Sequence, residues 1–411
     1  MNLHRKINQY FQDHRKAIEQ RIIELVTEMV RQRTVNVIPE KLPEHPYLRV
    51  RGEEYRVAEI VKRELSRLGI PFDEFARQRE RPNIIGKLGK NVSGKRLLLP
   101  AHMDVVPAGE GWEHNAFDVV VKDGKLYGRG TNDNKGPLAA ILLASAVIKQ
   151  LELDQQLNGQ LLIAALADEE AADPNGVDYG IGYLLEGRLI NPTHAIVPDI
   201  GHEMREIDIA EKGRMVIRIS AFGQQAHGST PEKGINAIFM MAKLIPLLEQ
   251  LQFEYHPHPL LGGPTLNLGE IHGGVAANVV PANCSIYLDI RTVPGMDRTG
   301  VLDQIHRCID RIPGGNFQVE ILSESLPFSV SADNELVKLI QKYTESELGF
   351  IATPMGMGGG TYAKNLIQHG VLTVGWGPGG DTAHIANEYI ELLQLVDFAR
   401  LSVLIAIDLL Q

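Results

Sequence analysis

The stretch that most constrains this chain is Arg96–Gly136, RLLLPAHMDVVPAGEGWEHNAFDVVVKDGKLYGRGTNDNKG. Its apolar run Leu97–Leu99 suits a buried strand and leads straight into His102, Met103 and Asp104. Asp133 follows in a glycine-rich turn, just before an apolar helical pattern over 136–151. Histidine beside aspartate at a strand end, with a second aspartate at a strand-to-helix turn, suits a metal site better than a packed core. Asp104 stands two residues after His102, so on an extended chain both side chains share a face. Asp104 would then hold the imidazole in one tautomer, as partners of metal-bound histidines do.

Three other places repeat the theme. ALADEE over 165–170 puts Asp168, Glu169 and Glu170 directly after an apolar run. Asp199 follows the run AIVP, and His384 sits in the turn-rich segment GGDTAHIANEY. Around them, apolar runs at 83–88, 96–102, 160–167, 195–198 and 371–375 alternate with helical patterns. The helices are expected at 16–33, 52–68, 136–151, near 177–186, over 334–349 and from Leu392, with a loop over 34–52. Such alternation predicts an α/β fold, a mostly parallel sheet with helices on both faces. In such a sheet the residues just past the strand ends gather in one crevice.

A chain of 411 residues is long for one core, so two domains are expected. The pattern changes near Lys212: over 212–324 it reads β-α-β-β-α-β, a compact ferredoxin-like α+β unit. The expected organisation is therefore a first domain over 1–211 that resumes over 325–411, interrupted by an inserted domain. A net charge of −10 leaves no basic face for nucleic acid. Two cysteines, Cys284 and Cys308, are too few for a disulfide scaffold or a thiolate metal cluster, so any metal must be held by histidine and carboxylate. The first residues have no apolar core that suits a signal peptide, and no run nears the length of a membrane span. A cytoplasmic protein without a membrane partner is the expectation.

His102, Asp133, Glu169, Glu170, Asp199 and His384 together suit two divalent ions sharing one carboxylate. Two histidines and three carboxylates, with an open position on each ion, fit Zn²⁺ of catalytic type. One carboxylate must stay off the metal and take a proton from water. Adjacent Glu169 and Glu170 would divide those tasks, since neighbours on an extended chain diverge. Asp168 reads as a solvated or capping residue, His114 and His194 as surface or loop histidines, and the HPHP segment at 256–259 as an exposed extended loop.

The motifs PAHMDVVP, GRGTNDNKGP, ADEE, PDIG, GQQAHGSTPEKGINAI, ANVVPANCSIYLDIR and AHIANEYI resemble those of the co-catalytic zinc aminoacylase/carboxypeptidase family, from about residue 16 to 405. That resemblance implies a zinc-exopeptidase-like fold and an inserted domain that serves as lid and homodimer contact. It makes Asp133 the bridge between two Zn²⁺ ions, with Co²⁺ or Mn²⁺ as possible substitutes. His102 and Asp199 would complete one ion's shell, Glu170 and His384 the other's. Glu169 would be the general base and Asp104 the orienter of His102. It also implies a cis peptide at Asp133–Asn134. His227 resembles the histidine that reaches the partner subunit's site to stabilise an oxyanion. Asn278 and Arg291 resemble the pair that binds the substrate carboxylate, and Gly358, Gly359 and Gly360 the loop that presents N–H groups to substrate.

Two departures bear on specificity. GGGTYAK places Tyr362 and Lys364 where many members carry an acid and an arginine, which resembles the dipeptidase branch, whereas the short insert resembles the deacylases. Asn134 stands where an aspartate is frequent. The expected activity is hydrolysis of an amide bond in an N-acyl amino acid, of deacetylase or desuccinylase type, at a two-zinc centre with Glu169 as base. A dipeptidase or carboxypeptidase acting on short peptides is the alternative. A non-catalytic zinc-stabilised binding protein and a metallo-phosphoesterase stand further off, the latter because the motifs offer few basic residues besides Lys135 and Arg129.

Overall fold

The computed structural model describes residues 3–36, 52–171, 177–200 and 202–411. The loop expected over 34–52 falls mostly outside them. The chain divides into two compact units: Met1–Ile209 with Val330–Met355 and Thr361–Gln411, and Ala210–Ser329 with Gly356–Gly360.

In the first unit the main sheet runs, in spatial order, Phe72–Ala76, Pro82–Gly89, Gln160–Leu166, Arg96–His102, His194–Val197, Leu372–Gly375 and Glu206–Glu211. The strands Gln160–Leu166 through Leu372–Gly375 are mutually parallel. The outer pairings are antiparallel, so the sheet is mixed rather than mostly parallel. The difference lies at the margins. Phe72–Ala76 carries charges inside a half-buried run and turns back onto its neighbour as a hairpin, which needs no crossover helix. The central strands are apolar without alternation because both faces are covered.

Helix Lys135–Gln150 is apolar on nearly every side and correspondingly buried. It packs against the strand Arg96–His102, the helix Arg15–Val30 and the terminal helix Leu392–Leu410, all in one core. A further helix, Leu3–Asp13, lies on the terminal helix. Only Ile7 and Phe11 are buried from it, an i, i+4 pair too sparse to announce a helix. A small sheet of Val120–Lys122, Lys125–Tyr127 and Tyr389–Glu391 joins the segment before Asp133 to the segment after His384.

The second unit is a four-stranded antiparallel sheet in the order Thr265–Gly273, Asn283–Thr292, Gly213–Phe222, Phe317–Ser325. That order, with helices Ala237–Glu249 and Arg298–Ile309 sharing its core, is ferredoxin-like. Met215, Ile217, Ile219 and Ala221 alternate with more exposed residues, as one covered face requires. Asn236 and Asp297 cap the two helices, accepting from the N–H groups of Phe239 and Gly300. Phe328–Ser329 pairs antiparallel with Ala210–Glu211, so the second unit begins and ends a little outside 212–324. Cys284 and Cys308 are both free and buried there. No described helix is long and apolar enough to cross a membrane.

Candidate two-metal active site

The four parallel strands end at one edge of the sheet, and the site is built there. His102 is the last residue of its strand. Glu169 and Glu170 follow the strand ending at Leu166, Asp199 the strand ending at Val197, and His384 the strand ending at Gly375. Asp133 lies in the turn that opens helix Lys135–Gln150; its peptide bond to Asn134 is cis.

The Asp133 carboxylate stands between two imidazoles. Its Oδ1 is 2.7 Å from His102 Nε2 and its Oδ2 is 3.0 Å from His384 Nε2. Beyond them, Asp199 Oδ1 lies 3.5 Å from His102 Nε2, and Glu170 Oε2 lies 3.0 Å from His384 Nε2. Two overlapping sets bring donor atoms within 4.8 Å of one another: His102, Asp133 and Glu170, and His102, Glu169 and Asp199. Glu169 therefore faces the His102–Asp199 side, and Glu170 the His384 side.

His102 is fully buried. Its Nδ1–H donates to the backbone carbonyl of Asp104 at 3.0 Å, and the Asp104 carboxylate is farther, at 3.5 Å. The imidazole is thus oriented chiefly by a carbonyl, not by the carboxylate expected from the sequence. That carboxylate has another task. Its Oδ2 accepts from Asn36 Nδ2 at 2.8 Å and from the N–H groups of Glu169 and Glu170 at 3.1 and 3.0 Å. Burial opposes its charge, yet the neighbouring His102 imidazole, Asn36 and that backbone hold its pKa down to about 2.

Burial pushes Glu169 well above the usual carboxylate range, and Asp199 adds to the push. Burial and then Asp133 raise Asp199 to about 7 and also raise Glu170. Hydrogen bonds to Asp133 and Glu170 lift His384 to about 10. Four half-buried carboxylates thus crowd two imidazoles, His102 buried and His384 exposed, whose Nε2 atoms point at them. Divalent cations fit this set: they supply the missing positive charge, and the donors are oxygen and imidazole nitrogen only.

The remaining predicted residues lie in the second unit. His227 and Asn278 are brought together: Ala226–His227 pairs with Val279–Val280, and the Gly228 N–H donates to the Asn278 carbonyl at 2.8 Å. His227 is exposed, with Nδ1 bonded to the Ser229 hydroxyl at 2.7 Å. Arg291 lies on a different strand, its Nε donating to Asp289 at 2.7 Å. Gly358–Gly360 form the loop after strand Thr353–Met357.

Several structural residues depart from expectation. Asp168 is not solvated. It pairs with buried Arg81 at 2.9 Å, and Arg81 in turn binds buried Glu54. His194 is buried on a strand and bonds Thr193 and Glu335. Lys135 is fully buried, with Nζ bonded to no partner among the described residues; burial lowers its pKa to about 7 against the pull of Asp104 and Glu388. Asn134 donates to Asp199 Oδ1 at 3.0 Å. Arg129, weighed in the sequence only as a basic residue, and Glu388, which sequence reasoning passed over, form a buried ion pair at 2.6 Å. Each lies in a motif chosen for a neighbouring ligand, the only sequence signal they give.

Residues 98–408 match the model of Peptidase family M20/M25/M40. The chain belongs to that family. An uncharacterised metallohydrolase of Methanocaldococcus jannaschii is 31% identical, over 78% of this chain and 82% of its own length. An acetylornithine deacetylase of Proteus mirabilis is 34% identical, over 75% and 78%. Among solved structures, an aminopeptidase of Bacillus cereus superposes with a TM-score of 0.75 at 20% identity, over 96% of this chain and 99% of the other, which shows a shared fold. As an M20 member the chain is a metal-dependent hydrolase of the amidohydrolase and peptidase kind. The non-catalytic binding protein and the phosphoesterase are set aside.

Proposed function

We propose that this M20 chain cleaves the amide bond of an N-acyl amino acid, with two divalent ions held by His102, Asp133, Glu170, Asp199 and His384. The observation that carries this reading is the Asp133 carboxylate, which offers one oxygen toward each of two inward-facing imidazoles. Bound there, two Zn²⁺ ions would polarise the scissile carbonyl and acidify water.

Glu169 is the base. It is the glutamate left on the His102–Asp199 side once Glu170 is committed to His384, placed to take a proton from water and return it to the leaving amine. The Asp104 carboxylate fixes the backbone of both glutamates. His227, contributed by a second copy of the chain, is the donor for the developing oxyanion. Asn278, Arg291 and the N–H groups of Gly358, Gly359 and Gly360 hold the substrate carboxylate, and the Arg291–Asp289 pair presets the guanidinium. The insert serves as the contact between two copies. The deacetylase relative supports an acyl substrate; Tyr362 in GGGTYAK, by its resemblance to the dipeptidase branch, favours short peptides as a second reading.

A substrate panel separates the two. N-acetylornithine, N-succinyl-diaminopimelate, N-acetylmethionine and simple dipeptides are assayed with Zn²⁺ or Co²⁺, with and without chelator. The proposal expects turnover of at least one acyl amino acid that collapses on chelation and returns with metal. Turnover confined to dipeptides would move the assignment to the second reading. Turnover indifferent to chelation would end the two-metal account.

A further inference from the structure

We propose that Arg129 and Glu388 are positioning residues that set the His384 side of the two-ion centre, an inference that rests on the two-metal reading. Glu388 is fully buried. Its Oε1 accepts three backbone N–H groups from the turn that carries Asp133: Gly130 at 3.0 Å, Asn132 at 2.9 Å and Asp133 itself at 3.1 Å. Its Oε2 takes Arg129 Nη1 at 2.6 Å. Arg129 Nη2 then reaches three carbonyls: Ala108 at 3.1 Å, Pro107 at 3.3 Å and His384 at 3.3 Å. The pairing of Tyr389–Glu391 with Lys125–Tyr127 continues the same junction, and the Glu388 carbonyl accepts the Gly128 N–H at 2.9 Å.

One buried ion pair therefore ties together the Asp133 turn, the His384 loop and the segment that follows Asp104. Stability alone is a weak reason for such a pair, because an apolar replacement of both partners is often neutral or better. Geometry is the stronger reason. His384 follows its strand by nine residues (384 − 375), so no ladder fixes it, whereas His102 ends a strand inside the sheet. The carbonyl of His384 is held by Arg129; His102 has its own anchor at the Asp104 carbonyl. The two imidazoles thus depend on different partners: loss of the Arg129 fork frees the His384 carbonyl, while Oε1 of residue 388 still accepts from the Asp133 turn.

Metal-free full-length protein is titrated with Co²⁺ against a chromophoric chelator, with the metal-free thermal midpoint measured on the same samples. Arg129→Lys keeps a charge for Glu388 but loses the planar fork that reaches the carbonyls. The double variant Arg129→Met with Glu388→Gln removes both charges of the pair together and serves if the lysine variant does not fold. The expected result is that one of the two ions binds about tenfold or more weaker while the other stays near wild type, and that excess Co²⁺ restores amide turnover. Two ions bound as tightly as in wild type would overturn the inference, as would an equal weakening of both that follows a fall in the thermal midpoint. Fewer than two ions in the wild type would instead refute the two-metal reading itself.

Discussion

At the scale of single residues, the division of labour around His102 is the main result. Its Nδ1–H is taken by a carbonyl, which leaves Nε2 with its lone pair toward Asp133 and Asp199. The Asp104 carboxylate is thereby free to fix the backbone of the adjacent glutamates. Asp104→Ala should lower kcat/KM by about 10–100-fold, the usual cost of removing a partner of this kind, with most of the effect in kcat. An unchanged kcat would deny Asp104 that role. The glycine loop makes a complementary prediction. The atoms nearest a Cβ built on Gly359 belong to the Met357 side chain, at ordinary van der Waals distance, so packing does not demand a glycine there. Gly359→Ala should leave the thermal midpoint unchanged and raise KM; a stability loss with KM unaltered would assign the glycine to the fold instead. Of the six proposed site residues, His102, Glu169, Glu170 and Asp199 were legible because each follows an apolar run, and Asp133 because it precedes one; His384 stands farther from its strand, in a turn-rich segment. Asp168 and His194 were misread because burial is a tertiary property: nothing near Asp168 in sequence announces Arg81, which comes from the start of the neighbouring strand Pro82–Gly89.

At the scale of elements, the chain's longest apolar helices do the structural work. Leu142, on helix Lys135–Gln150, is 2% exposed in the main core. Leu142→Ala should cost about 2–5 kcal/mol, read as a shift in denaturant midpoint at unchanged slope. A polar anchor joins the ends of three other helices. Asp408 on Leu392–Leu410 accepts from Lys342 and Tyr343 of Glu335–Tyr343, and bonds His4 of Leu3–Asp13. Burial opposes the Asp408 charge, but these three partners outweigh it and lower the pKa. A carboxylate depressed in the folded state contributes stability above its unfolded pKa of about 3.9 and loses it as pH falls through the folded value. The stability gap between wild type and Asp408→Asn should therefore be full at neutral pH and close below about pH 4. A gap that persists in acid would locate the effect in packing. Strongly periodic helices and continuous apolar strands were readable from the sequence, since each buries a pattern of its own. Phe72–Ala76 and Leu3–Asp13 were not, because an edge strand and a sparsely buried helix take their definition from neighbours.

At the scale of the whole molecule, the two units each close a core of their own, which is why the change of pattern near Lys212 was visible in the sequence. The margins of the main sheet were not visible, because antiparallel hairpins and parallel crossovers share the same apolar runs. If His227 serves the site of a second copy, mixing two inactive variants, Glu169→Gln and His227→Ala, should regenerate part of the activity in mixed dimers. Activity no greater than the sum of the two parents would exclude that exchange. The central claim is narrower: five residues hold two ions, and Glu169 is the base left off the metal. It is tested most directly by metal content and turnover of Glu169→Gln. The account predicts two divalent ions per chain, as in wild type, with amide hydrolysis reduced by about 10²–10⁴-fold. Hydrolysis near the wild-type rate with both ions bound would contradict it.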